Sequence, residues 1–157
     1  MKRLIASTAL VAVFGTVFAL GIVPEARADD HRGCSDASLQ GSFGFTSTGT
    51  LLALPPPLAG QFGEIGRQTF DGRSNTDGTA TLSANGNIVR VTFQGTYQVN
   101  SDCTGSMTLY VLPIGTTANF DFVIDDDGAE LRVIVVEPGV VETRVYKKQF
   151  SRGRKEQ

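Results

Sequence analysis

The chain has 157 residues, 41% hydrophobic and 19% charged, with 18 glycines, 10 phenylalanines, no tryptophan, one histidine and a formal net charge of −2. That length holds one ordinary domain, and the apolar fraction excludes both a disordered chain and, being so interrupted, a polytopic membrane protein. With His31 as the one imidazole, Ser-His-Asp or Cys-His hydrolysis and multi-histidine zinc chemistry have no core histidine to use.

Residues 1–28 read as a signal peptide. Lys2 and Arg3 make a basic start, an apolar run follows to Val23, and Ala26-Arg27-Ala28 is a small-x-small cleavage site that leaves Asp29 as the mature N-terminus. The twin-arginine pair is absent, so the general secretory route is expected. Polar residues 30–33 separate Cys34 from the apolar run, which disfavours a lipid anchor. The expected location is secreted or periplasmic, with no membrane span after cleavage. The expected layout is the signal peptide, a lead-in segment at 29–38, a domain at 39–150 and a basic tail at 151–157.

The mature chain carries a net charge of about −4, unevenly spread. Residues 144–157 hold six basic side chains against Glu156, and residues 29–143 carry about −9. An acidic body disfavours nucleic acid, whose binders neutralise phosphates along a broad face. Cys34 and Cys103 are both mature, and in an exported chain two cysteines pair.

From residue 39 onward the pattern has period two. At 39–49, Leu39, Phe43 and Phe45 alternate with Gln40, Ser42 and Thr46. A proline-stiffened link at 51–60 follows, and Leu51, Leu52, Leu54 and Leu58 on it need a surface to cover, which a barrel mouth would supply. Shorter alternating runs occupy 64–70 and 78–84. Residues 88–99 are the clearest strand: Val89, Val91, Phe93, Tyr97 and Val99 face one way, and Arg90, Gln94 and Gln98 the other. Further runs lie at 105–112, 118–125, 130–136 and 140–150. Ala84-Asn85-Gly86-Asn87, Asp127-Gly128 and Glu137-Pro138-Gly139 mark tight turns between them. Eight short strands without a convincing helix predict an all-β, antiparallel, up-and-down barrel, which also hides its own edges. The outward residues, Arg90, Gln94, Gln98, Thr79, Thr81 and Arg132, do not make the apolar band of a membrane barrel.

Four blocks carry a likeness. The run Cys34-Ser35-Asp36-Ala37-Ser38-Leu39-Gln40-Gly41-Ser42-Phe43-Gly44-Phe45 resembles the opening of a set of small secreted bacterial proteins. Gly66-Arg67-Gln68-Thr69-Phe70-Asp71-Gly72 and the stretch from Gly95 to Gly105 resemble later blocks of the same set, as does Ala118-Asn119-Phe120-Asp121-Phe122-Val123. These proteins are calycin-like barrels similar in fold to allene oxide cyclase. The likeness implies fold and export. No catalytic motif of the cyclase matches a numbered position, so it implies no catalytic residue.

The inward set holds Phe43, Phe45, Phe70, Phe93, Tyr97, Phe120 and Phe122. An eight-stranded barrel is at the size where the interior is either filled or holds one small ligand. The functional reading is an aromatic pocket for a small hydrophobic molecule, with Tyr97 orienting a polar end. The alternative is a filled barrel acting as a structural or interaction protein of the cell envelope, and a barrel isomerase or cyclase comes third. Gln68, Ser47, Thr143 and Tyr97 are expected as inward polar groups, with Glu64 on the same face as Gln68. The Asp125-Asp126-Asp127-Gly128 run points its carboxylates different ways, and the loop at 71–78 has Arg73 where a calcium ligand would stand. No metal and no cofactor is expected, and enzymatic activity is not the favoured reading.

Overall fold

A computed structural model describes residues 33–53 and 55–150. The signal peptide, residues 29–32 of the lead-in segment, Leu54 and the basic tail lie outside the described residues. Eight strands form a closed barrel in which each pairs antiparallel with the next and the last with the first. They are β1 (Gly41–Leu51), β2 (Gly60–Phe70), β3 (Asn75–Ala84), β4 (Asn87–Val99), β5 (Thr104–Leu112), β6 (Thr116–Asp125), β7 (Glu130–Val135) and β8 (Val140–Lys148). Short 3-10 turns at Asp36–Leu39 and Asp126–Gly128 are the only helical pieces among the described residues.

The period-two expectation holds in each strand where alternation is apolar. On β4 the inward face is Val89, Val91, Phe93, Tyr97 and Val99, while Arg90, Gln94 and Gln98 are exposed. The β3–β4 hairpin turns on Asn85 (φ 45°) and Gly86 (φ 84°), the paired positive angles that Asn-Gly accommodates. Two strands begin earlier than alternation indicates. β2 starts at Gly60, where Gly60 and Gly63 fall on opposite faces and erase the pattern. β3 starts at Asn75, where the inward residue is Thr76, a polar group buried through its hydrogen bonds. At the other extreme, Leu39 belongs to a 3-10 turn rather than a strand.

One orientation is reversed. Thr143, expected inside, is exposed, and β8 turns Glu142, Arg144 and Tyr146 inward. The pairing of β8 with β1 sets Tyr146 opposite Phe45, Arg144 opposite Ser47 and Glu142 opposite Gly49. Burying Arg144 is tolerated because counter-charges and aromatic faces meet it inside; Val141 and Val145 are left in solvent.

Close backbone approach at one glycine shapes the interior. The Phe93 ring lies over Gly78 of the neighbouring strand, and a Cβ there would overlap both the ring and the carbonyl of Arg67. Glycine at that position lets an aromatic side chain lie across β3 instead of filling the barrel axis.

Candidate functional site

The barrel interior divides into a filled half and an open half. The filled half lies at the end where β4 meets β5. Leu39, Phe43, Phe70, Met107, Leu109, Phe120, Leu131 and Tyr146 are wholly or almost wholly buried there and toward the middle. Phe70 packs edge-on against Phe43 at 5.4 Å and against Tyr97 at 5.1 Å between ring centroids. The 3-10 turn Asp36–Leu39 closes this end. Val99 N donates to Asp36 Oδ1 (2.8 Å), and the Tyr97 hydroxyl donates to the Asp36 carbonyl (3.1 Å) while accepting from Gly72 N (2.9 Å). Cys34 and Cys103 form the expected disulfide, 69 residues apart in sequence, and tie the same turn to the β4–β5 corner. The Tyr97 hydroxyl is therefore engaged in fastening the plug, and its pKa is raised, chiefly by burial.

The other end, where β1 meets β2 and β7 meets β8, holds a cavity of about 370 Å³. Its wall is apolar: Phe62, Leu82, Val91, Phe93, Leu109, Val111, Ala118 and Val135. The link between β1 and β2 stands at its mouth through Leu51, Ala53 and Leu58, as the four-leucine pattern predicts in part. Leu52 is 65% exposed and turns away, and Leu54 lies outside the described residues. Of the seven candidate ligand-contacting aromatics, all are buried. Phe93 lines the cavity, whereas Phe43, Phe45, Phe70, Tyr97, Phe120 and Phe122 pack in the core around and beneath it.

Charge sits on the floor of the cavity. Arg144, Ser47 and Glu64 are side by side on β8, β1 and β2, all facing inward at one level. Because Ser47 is small, the guanidinium reaches past it. Arg144 Nη2 lies 3.4 Å from Glu64 Oε2, and its Nε is paired with Glu142 Oε1. Ser47 Oγ donates to Glu64 Oε2 (3.1 Å). The guanidinium carbon is 4.4 Å from the Phe120 ring centroid and 5.2 Å from that of Phe45. The side chains of Arg144, Glu64 and Glu142 are 10%, 7% and 6% exposed. Burial works against the Arg144 charge, but the surrounding Tyr146, Glu64 and Glu142 hold its pKa above the usual value. Burial raises the Glu64 pKa; Arg144 pulls it down, Glu142 adds to the rise and Ser47 opposes it.

Below the floor a one-way hydrogen-bond chain runs into the core. Arg144 Nη1 donates to the Tyr146 oxygen (3.5 Å), Tyr146 to Gln68 Oε1 (2.9 Å), Gln68 Nε2 to Thr76 Oγ1 (2.8 Å) and Thr76 to the Thr69 carbonyl (2.8 Å). Every polar atom along it has a partner, so the chain can remain buried. Burial pushes the Tyr146 phenol up to about 12, so it stays a neutral donor at neutral pH.

Of the expected inward polar groups, Gln68 and Ser47 join this network, Glu64 is central to it, Tyr97 serves the plug and Thr143 is outside. Glu142, Arg144 and Tyr146 are the residues that alternation passed over. The available signal was their own spacing: acid, base and phenol two residues apart fall on one face of a strand. Elsewhere, Asp125 pairs with Arg132 at 3.1 Å, and Asp71 accepts hydrogen bonds from Arg73 N and from the backbone and side chain of Asn75. Among the described residues no helix is long and apolar enough to cross a membrane.

No protein-family model and no curated protein matches the chain. Two solved structures are similar in fold. The redesigned β-barrel b11L5F_LGL aligns with a TM-score of 0.53 at 14% identity, over 73% of this chain and 95% of its own. The redesigned β-barrel mFAP1, determined bound to DFHBI, aligns with a TM-score of 0.50 at 16% identity, over 72% of this chain and 97% of its own. The chain is thus an eight-stranded antiparallel closed β-barrel, similar in fold to these two redesigned barrels.

Proposed function

We propose that the protein is a secreted binding module that holds one small hydrophobic molecule in the open half of its barrel. The observation that carries this reading is the cavity of about 370 Å³, apolar on its wall and polar on its floor. A volume of roughly 300–1,000 Å³ with a few convergent polar groups is what small-molecule sites have. The disulfide and the signal-peptide pattern support an exported protein. The likeness to calycin-type secreted barrels supports the same class without naming a ligand. The DFHBI bound by the redesigned barrel mFAP1 supports the idea that a barrel of this fold accepts a small molecule.

The filled half supports a second reading, a structural or interaction protein of the envelope whose interior serves stability alone. Native mass spectrometry of the purified protein, with a thermal-shift screen of apolar compounds, separates the two. A co-purified molecule or a shift that Ala118→Phe abolishes in a folded variant supports binding, because that ring would occupy the cavity. No co-purified ligand and no shift with any apolar compound supports the structural reading.

A further inference from the structure

Resting on the cavity reading above, we infer that the occupant carries a hydrogen-bond-donating polar end, best a protonated amine, and that apolar carboxylic acids are excluded. Charges and open valences at the floor favour such an end. Glu64, Glu137 and Glu142 line the cavity, and among the described residues Arg144 is the one cation on its lining. A carboxylate entering this space needs a free cation to replace its water, and the cation it meets is already flanked by two carboxylates.

Arg144 is committed. Each of its three nitrogens already faces a partner, Nε Glu142, Nη2 Glu64 at 3.4 Å and Nη1 Tyr146 at 3.5 Å, and its guanidinium carbon lies 4.4 Å from the Phe120 ring centroid and 5.2 Å from that of Phe45. The Ser47 hydroxyl is already given to Glu64. Acceptors, by contrast, are in surplus. Glu64 uses Oε2 and Glu142 uses Oε1, and the other oxygen of each has no hydrogen bond among the described residues although both side chains are more than nine-tenths buried. Neither oxygen is sealed off by protein, since no enclosed side-chain polar atom lacks a partner and both residues border the cavity. An ammonium has three donors and no acceptor, which matches two open carboxylate oxygens. A hydroxyl can give one hydrogen bond, and a carboxylate would meet like charges in a poorly hydrated space.

The test uses three matched probes that share a naphthalene ring: 1-naphthylmethylamine, 1-naphthylmethanol and 1-naphthylacetic acid. Their binding to the purified full-length protein is measured by isothermal titration calorimetry at neutral pH. The expected order is amine, alcohol, acid, with the amine at least about tenfold tighter than the acid, since an opposed charge pair in a half-buried site exceeds 1.4 kcal/mol. Glu142→Gln and, separately, Glu64→Gln should narrow the amine–acid gap by weakening the amine more than the alcohol; whichever variant folds suffices. If the alcohol binds and the acid matches or exceeds the amine, the inference is overturned and the cavity reading stands. If none of the three binds, both fall.

Discussion

Replacing Arg144 by Met tests the energetic role of the charged floor. The change keeps the length and much of the apolar contact with Phe45 and Phe120 but leaves two carboxylates, 7% and 6% exposed, without their cation. Breaking a buried ion pair by removing one partner costs about 3–5 kcal/mol, against a total stability of roughly 5–15 kcal/mol for a domain. For a barrel of this size the loss lowers Tm by roughly 10–20 °C. The penalty falls as pH falls, because protonating the two acids removes the unpaired charge. The triple variant Glu64→Gln, Glu142→Gln, Arg144→Met has no charge left to strand and recovers most of the loss, as neutral replacement of buried ion networks generally does. Urea unfolding followed by fluorescence or circular dichroism at several pH values measures all three proteins. A loss below about 1 kcal/mol for the single variant at neutral pH would refute the reasoning, as would a triple variant no better than the single.

Other consequences are independent of that site. Tyr97→Phe removes the hydroxyl that joins Gly72 N to the Asp36 carbonyl and should cost about 1–3 kcal/mol in urea unfolding with probe binding unchanged, since the plug and the cavity are at opposite ends. Cys34→Ser with Cys103→Ser opens a loop of 69 residues and should cost on the order of 4 kcal/mol by chain entropy; an unchanged urea midpoint would contradict it. Because Glu64 holds its proton more tightly in the folded barrel than its usual 4.5, its contribution to stability is full below that value and is lost as pH rises through the folded one. Glu64→Gln should therefore flatten the fall in stability above pH 4.5, and parallel wild-type and variant profiles would count against this. Asp71 and Asp102, whose pKa values are lowered mainly by hydrogen bonds from Asn75 and Thr104, act in the opposite sense and in a lower window, below 3.8, so they leave the Glu64 window clear.

Much of this architecture is legible in the residues. Alternation at 88–99 and 118–125, the Asn85-Gly86 turn and the two cysteines lead to antiparallel neighbours, an inward aromatic face and a staple, because strand period, turn conformation and thiol chemistry are local or pairwise properties. The start of β2 and the first residues of β3 are not legible, since glycine carries no facing signal and Thr76 becomes an interior residue only once Gln68 is there to donate to it.

The site itself belongs to the tertiary structure. Sequence places seven aromatics inside, but it cannot say that of these Phe93 alone lines the cavity at the barrel's open end, because a void is a difference between enclosed volume and side-chain volume after all eight strands have closed. The orientation of β8 shows the same limit. Val141, Thr143 and Val145 make the more apolar face of that strand, and a local reading turns them in. Register with β1 places Arg144 beside Ser47, with Glu64 on the far side, and two carboxylates, two aromatic faces and a phenol make the interior the more favourable place for a guanidinium. None of those partners lies near Arg144 in sequence except Glu142 and Tyr146, so the balance that buries it exists only once the barrel has closed.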